Sequence, residues 1–308
     1  MTSKTISTLS LRPGLRVAAL TLALSLPLAA CDRAPAPAPE GDAVPQAARP
    51  AASSAPAAVA ELLMPAQTQT SPPADSAALA AAFGQPDDGS VERTLPDARQ
   101  AGFWHGYAYR TGEEERYTAF VHAVAPAEGG LASPGQQVDL VQITYVLRDG
   151  AWQPAAPQTD VGRFGGAGRA PTFDEARIPL AYTVSADEAL LALPSSMVAT
   201  GGARVDAYEI FLYAPGTGAW RHAGVVRAGV DQSAGCDAGS ETPDTRCVRN
   251  TGGLRFSSSA AGNRPDIQVT FSGSVRGEDG AIRAAGPADA VTYRYDTDTG
   301  IYTETPAR

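Results

Sequence analysis

The sequence predicts a mainly β head, either an antiparallel β-sandwich or an irregular β domain, with one short helix at its N-terminal end. Three observations support this fold class. Apolar and aromatic residues alternate with polar ones in short runs that Gly, Asp, Thr or Pro separate. Three turns between runs are flanked by aromatic residues, and an alanine-rich segment ahead of the first run has the start and stop signals of a helix.

The helix is predicted to begin at Asp75 or Ser76, whose side chains can cap it, and to end at Phe83. Gly84 stands where a C-cap is expected, and Pro86 follows it. We therefore expect the helix to stop well before the first strand.

The strands are predicted from seven runs that share the alternating pattern. These are Phe103–Tyr109, Tyr117–Val124, Val138–Leu147, Ile178–Val184, Val205–Tyr213, Ile267–Phe271 and Val291–Tyr295. Short runs joined by turn residues are typical of antiparallel sheets. They predict a mainly antiparallel domain of about 200 residues.

Three stretches repeat one pattern: a run ends in Tyr, a turn contains Gly, and an aromatic residue follows that Gly by two positions. They are Tyr145 with Asp149, Gly150 and Trp152; Tyr213 with Gly216, Thr217, Gly218 and Trp220; and Tyr295 with Asp296, Asp298, Gly300 and Tyr302. Because Gly supplies the backbone conformation of a tight turn, we expect three hairpins whose aromatic residues pack across the strands. Stacking on a carbohydrate is the alternative role for these rings.

The stretch Tyr182–Trp220 resembles one blade of the β-propeller repeats, which implies a propeller-like fold as the alternative. The resemblance lies in Val184–Asp187, Leu190–Leu193, Ile210–Tyr213 and the turn at Gly218. It departs from the blade pattern at Glu188, where a turn Gly is expected, and Ser185–Glu188 also fits the capping box of a short helix. Because the aromatic turns do not recur at a blade period, we favour the sandwich or irregular β domain.

Residues 1–30 have the layout of a secretory signal peptide. Lys4, Arg12 and Arg16 precede an apolar run, Val17–Leu26, that is too short to span a bilayer as a helix. Removing this segment changes the formal net charge from −9 to −12, because it contains three basic residues and no acidic one. So acidic a chain is repelled by nucleic acid, and we expect no nucleic-acid partner.

Leu28, Ala29, Ala30 and Cys31 resemble the lipobox of bacterial lipoproteins at all four positions. The resemblance implies that the signal is cut before Cys31, that fatty acids such as palmitate modify Cys31, and that the chain is held on a membrane of the cell envelope. Two or three acyl chains give stable anchoring. Asp32 favours the inner membrane in enteric bacteria, but the choice between inner and outer membrane stays open.

Residues 31–75 are predicted to form a disordered tether, followed by a single mainly β domain over 76–308. The tether is rich in Ala and Pro and has few aromatic residues, so it cannot bury enough apolar surface to offset its ordering entropy. Val59–Met64 is the stretch within it where we expect a transient helical turn. The tether either lets the head work away from the membrane or is a passive spacer.

Cys236 and Cys247 are predicted to form a disulfide. With Cys31 assigned to the lipid, they are the remaining cysteines, and an exported protein reaches an oxidising compartment. A metal pair is the alternative, but the loop between them holds no His.

Histidines and carboxylates are the candidates for chemistry. His105, His122 and His222 each lie in an alternating run, and the first two are expected on paired strands near Glu113–Glu115. Two carboxylate groups resemble parts of calcium loops. They are Asp296, Asp298 and Gly300 in the last hairpin, and Asp237, Glu241 and Asp244 in the predicted disulfide loop. Ordinary strand histidines and hydrogen bonds from Asp to the turn backbone are the simpler interpretations.

Motifs for nucleophilic and phosphate chemistry are weak. No Gly-x-Ser-x-Gly elbow surrounds any serine. Gly165, Gly166 and Gly168 lead to Pro171 and not to a helix, so they predict a flexible loop and not a phosphate-binding one. No metal, cofactor or catalytic residue is assigned.

The favoured function is a non-enzymatic, lipid-anchored module that binds or organises a protein or glycan of the cell envelope. The first alternative is an envelope hydrolase acting on glycan or peptide, which would need histidines or carboxylates converging in a pocket. The second is an inhibitor or protective factor against an external enzyme.

Overall fold

A computed structural model describes residues 63–66, 69–126, 132–199, 201–235, 247–259 and 264–305. All of them fall within one compact unit, Ala55–Arg308. Strands account for 59% of the structure and helix for 6%, which confirms the mainly β fold with two antiparallel sheets and one helix.

The first sheet contains seven strands, and the α-helix α1, Asp75–Ala82, lies between its first two along the chain. The strands are β1 (Met64–Pro65), β2 (Glu92–Thr94), β3 (Gln100–Thr111), β4 (Glu114–Val124), β5 (Val138–Arg148), β6 (Ala151–Pro154) and β7 (Gln158–Phe164). Their order is β1-β3-β4-β5-β6, with β2 also paired to β3 and β7 also paired to β5. The strands β6 and β7 thus follow one another along the same edge of β5.

The second sheet contains ten strands. They are β8 (Thr172–Phe173), β9 (Leu180–Ser185), β10 (Glu188–Val198), β11 (Arg204–Ala214), β12 (Ala219–Asp231), β13 (Arg249–Ser257), β14 (Asp266–Arg276), β15 (Ile282–Ala284), β16 (Val291–Asp296) and β17 (Ile301–Thr305). Their order is β17-β16-β14-β13-β12-β11-β10-β8, with β9 also on β10 and β15 on β14. Every strand pair of both sheets is antiparallel, as predicted.

The two sheets pack face to face through an aromatic core. Phe120 of β4 lies against Phe211 of β11 with ring centroids 4.6 Å apart, and Tyr109 of β3 lies edge-on to Trp220 of β12 at 5.7 Å. All four side chains are buried. Burial of large aromatic rings from both sheets is a main source of stability in such an interface.

Each sheet also buries part of its other face. The helix α1 covers the first sheet, where Leu79 joins Val121 and Ile143 in a second core. The second sheet curls into a half-barrel around a third core that includes Ile210 and Ile267. Central strands therefore bury residues on both sides.

The three predicted hairpins are present. The turn between β5 and β6 has positive φ at Asp149 and Gly150, as a tight two-residue turn requires. The aromatic pairs of the other two hairpins face each other across their strands: Tyr213 opposite Trp220, and Tyr295 opposite Tyr302. In the first hairpin the two rings do not face each other: Trp152 lies opposite Leu147, and Tyr145 and Trp152 each pack on Tyr117 of β4 instead. Packing on neighbouring strands thus accounts for these rings.

Several expectations are corrected. The helix α1 begins after Ala74, which has no side-chain cap, although we predicted one. The segment Ser185–Glu188 is a turn between β9 and β10, not the start of a helix. The strands form two sheets and not propeller blades.

Part of the predicted tether also packs on the head. Met64, at the end of the expected helical turn Val59–Met64, lies in a strand and pairs with Arg110. Leu63 is buried in the aromatic core, and its carbonyl accepts a hydrogen bond from the Tyr107 hydroxyl. A buried apolar side chain and a short stretch of backbone pairing are enough to order this segment.

Candidate functional site

A chain of buried polar side chains lies between the sheets. The Thr118 hydroxyl bonds to that of Thr144 at 2.7 Å, and the Thr144 hydroxyl donates to Gln142 Oε1 at 2.9 Å. The Tyr109 hydroxyl lies 3.3 Å from Thr118 Oγ1, and burial raises its pKa. Because each group has a partner, this polar row is compatible with the apolar core beside it.

Gln158 connects this row to the second sheet. Its Oε1 accepts from Gln142 Nε2 at 3.2 Å and from the backbone N–H of Trp220 at 2.9 Å. Its Nε2 donates to the Trp220 carbonyl at 2.6 Å. Gln158 therefore fixes β7 of one sheet against β12 of the other.

A cleft opens to solvent at this junction. Its larger cavity, of about 520 Å³, lies between Gln142 and Thr144 on one side and the β11–β12 turn, Pro215–Gly218, on the other. A second cavity of about 340 Å³ is lined by residues that include Glu188, Arg221 and Arg264. The two cavities share Gln158, Asp160 and Ala219 and so adjoin; we call them together the inter-sheet cleft. Cavities of this size fit small polar ligands.

Two of the three arginines of the cleft are already paired. Arg116 donates to Glu114 at 2.6 Å and to the Tyr213 hydroxyl at 3.0 Å. Arg264 makes two parallel hydrogen bonds to Glu188, the first at 2.6 Å, and stacks 4.0 Å over the Tyr295 ring. The two-pronged pair and the stacked ring hold Arg264 in one orientation.

A second constellation is buried away from this cleft. Glu209 is 2% exposed and lies between Ser195, whose hydroxyl donates to it at 3.3 Å, and His222, whose Nε2 is 2.7 Å from it. The rings of Phe164 and Phe211 pack against His222. The carboxylate sits between the hydroxyl and the imidazole, whereas nucleophilic catalysis needs the base beside the hydroxyl. The group is a buried hydrogen-bonded cluster that holds three strands of the second sheet together.

The other histidines do not join it. His105 stacks on Phe173 at 3.6 Å, and burial lowers its pKa to about 4. Burial also lowers the pKa of His122, which packs against Gly102. Neither lines the inter-sheet cleft. Among the described residues, no group of three or more His, Cys, Asp or Glu side chains could hold a metal ion.

The carboxylates of the last hairpin serve its turn. Asp296 Oδ1 accepts from the backbone N–H groups of Asp298 at 2.8 Å and Thr299 at 3.2 Å, which lowers the pKa of Asp296. Gly300 has φ +76° and donates its N–H to the Asp296 carbonyl. The contacts thus support the simpler interpretation of this pattern, in which Asp296 serves the turn by accepting hydrogen bonds from its backbone.

The glycine-rich segment is a defined turn. Gly166 and Arg169 exchange backbone hydrogen bonds, and the N–H groups of Ala167 and Gly168 donate to Pro134 and Gln136 carbonyls. Donors that already serve carbonyls are not free to cradle a phosphate. The segment therefore closes a loop and offers no anion site.

Some predicted sites lie outside the described residues. These are Cys31, Cys236, Asp237, Glu241 and Asp244. Cys247 lies within the described residues, and its disulfide with Cys236 stays a prediction. Within the described ranges, no helix has the length and apolarity needed to cross a membrane.

Comparison of the chain with protein-family models, with curated proteins and with solved structures finds no match. The inter-sheet cleft was not found by sequence reasoning. Its larger cavity is built from β4, β5, β7, the β6–β7 loop and the β11–β12 turn, and the smaller one adds residues of β10, β11 and β12 together with Arg264, so no single stretch of the sequence marks it. The one local signal was the Gly216–Gly218 turn, which we predicted as a hairpin only.

Proposed function

We propose that this protein is a lipid-anchored lipoprotein of the cell envelope whose β head is a non-enzymatic binding module, and that the inter-sheet cleft is its binding site. The lipobox resemblance at Leu28–Cys31 supports the anchor. The observation that supports the binding role is the open cleft with amide, hydroxyl and charged side chains of both signs along its walls. A mixture of fixed polar groups in a cleft is what orients a small polar ligand.

The distribution of titratable groups favours binding over hydrolysis. A hydrolase acting on glycan or peptide places a histidine or carboxylate of displaced pKa beside its substrate. Here the displaced histidines, His105 and His122, are outside the cleft lining, and Glu188 within it is bound by Arg264. Asp160 is exposed, and the described lining residues place no histidine or carboxylate of displaced pKa beside it.

The anchor is tested with Cys31→Ser in cells fed a labelled palmitate. We expect an uncleaved precursor without label, because the thiol is the acylated group. The control variant, Ser53→Ala in the tether, should leave processing and label unchanged. Normal processing of Cys31→Ser would reject the lipoprotein assignment.

The binding site is tested by photo-crosslinking from inside the cleft. The mature chain contains no lysine, so amine-directed crosslinkers have no side chain to react with. A photoreactive amino acid at Ala156, an exposed cleft residue, should give an envelope adduct in intact cells. The same group at Glu278, exposed in the β14–β15 turn, should not. Equal adducts from both positions would contradict a role for the cleft.

A further inference from the structure

Two opposite charges in the cleft have no ionic partner. Asp160 and Arg221 both line the cavity of about 340 Å³. Neither makes an ion pair with any residue in the described part of the chain, and their own charged atoms are more than 4.0 Å apart. The remaining charges of that cavity, Glu188 and Arg264, neutralise each other. The cavity thus presents one free anion and one free cation.

Arg221 is oriented by neutral acceptors behind it. Its Nη1 donates to the Gly300 carbonyl and its Nη2 to the Tyr295 hydroxyl. These bonds fix the guanidinium without cancelling its charge. A cation held in place in this way loses little side-chain entropy when it binds an anion.

We propose that the inter-sheet cleft binds short peptides with free termini, the ammonium group at Asp160 and the carboxylate at Arg221. This inference rests on the proposed function and names the ligand class of the same site. A ligand with both charges matches the two unpaired groups, while a dianion meets the repulsion of a chain with net charge −12 after signal removal. The adjoining cavity of about 520 Å³, which Asp160 also lines, has room for a side chain of the peptide.

The lining favours a peptide over a glycan. Sugar rings are commonly held on exposed aromatic faces, and the aromatic residues that border the cleft, Tyr213 and Trp220, are buried in the core at 0% and 1% exposure. The walls instead carry small side chains such as Ala155, Gly216 and Ala219. Small side chains leave room for an extended backbone to approach.

The test uses the full-length lipidated protein in detergent and three pools of synthetic tripeptides of randomised sequence. One pool has free termini, one is N-acetylated, and one is C-terminally amidated. We expect the immobilised protein to retain the free pool, and each cap to reduce retention about three- to tenfold. Retention should fall as salt rises from about 50 to about 500 mM, because the contacts are ionic and partly exposed.

Two variants assign the charges. Asp160→Asn should weaken retention of the free pool and leave retention of the N-acetylated pool unchanged. Arg221→Gln should also weaken retention of the free pool, but it should leave retention of the amidated pool unchanged. Asp298→Asn and Arg148→Gln change the same charges at exposed positions outside the cleft and serve as controls. Thermal unfolding of each variant shows that it is folded; Asp160→Asn carries the test if Arg221→Gln fails to fold.

Equal retention of free and capped pools, or no retention of any pool, would overturn the peptide proposal. If adducts still form specifically at Ala156 in that case, the cleft binds another class of ligand and the proposed function stands. Absence of both the peptide retention and the specific adducts at Ala156 would reject the peptide proposal and the proposed function together.

Discussion

The side chain of Gln158 bonds to both backbone groups of Trp220, with Oε1 2.9 Å from its N–H and Nε2 2.6 Å from its carbonyl. A neighbouring strand would offer the same donor and acceptor. β11 pairs with one edge of β12 at this point, but the opposite edge has no paired strand, because β13 pairs only with Gly229–Asp231. The side-chain amide of Gln158, from the first sheet, therefore takes the place of a paired strand at Trp220. Gln158 also lines the cleft.

Substitution Gln158→Ala is expected to destabilise the head by about 1–3 kcal/mol, because the Trp220 backbone and the Gln142 amide lose their partner. Urea unfolding measures the change. Gln153→Ala, at an exposed position of β6, is the matched control and should cost less than about 0.5 kcal/mol. Equal losses in the two variants would show that the bridge does not stabilise the fold.

The local elements of the fold were predictable, and the reason is visible in the hairpins. The Asp149-Gly150 and Gly216–Gly218 turns follow from backbone preferences of a few adjacent residues. By contrast, β10 was not among the predicted strands. Ala189–Leu193 are all fully buried, since β10 lies between two cores, and a run that is apolar on both faces shows no alternation.

The site depends on contacts that no local pattern encodes. Gln158 and Trp220 are 62 residues apart, and so are brought together only by packing of the two sheets. Glu209 shows the same limit: it lies in the predicted run Val205–Tyr213, where its inward direction becomes evident only with Phe211 packed in the core. Its partners, Ser195 and His222, lie on the two flanking strands.

Substitution Glu209→Ala is expected to destabilise the head by about 2–4 kcal/mol, because it leaves both the His222 imidazole and the Ser195 hydroxyl without their partner in a buried site. Glu209→Gln keeps an acceptor for Ser195 and a polar group near His222, so its cost should be nearer to about 1–2 kcal/mol. Denaturant unfolding of both variants gives the comparison. A smaller loss for Ala than for Gln would mean that burial of a polar side chain at this position costs more than its two contacts return.

Addition of a methyl group at Gly165 tests the tight turn. Its Cβ would clash with the Arg169 carbonyl oxygen, and φ is +72°. Gly89 has a similar φ of +78° but open space around it. Gly165→Ala should therefore cost about 2–4 kcal/mol and Gly89→Ala about 1 kcal/mol, the difference being the steric clash. Thermal or urea unfolding reports both values, and equal costs would refute the close approach.

The stability of the head is expected to depend on His105 at mildly acidic pH. Burial lowers its pKa to about 4 from 6.5, and its Nε2 has no hydrogen-bond partner among the described residues. Between those two pH values His105 is protonated in the unfolded chain but neutral in the folded head. The free energy of unfolding therefore falls as the pH falls from 6.5 toward 4. The loss from this group is at most about 3 kcal/mol.

His105→Phe isolates that contribution, because a phenyl ring can keep the stack on Phe173 but cannot take up a proton. The free energy of unfolding is measured in urea at about pH 7, 6, 5 and 4.5 for both proteins. The carboxylates titrate alike in the two, so the difference between the curves belongs to His105. That difference should grow as the pH falls; parallel curves would show that the imidazole takes up its proton as readily in the folded head as in the unfolded chain.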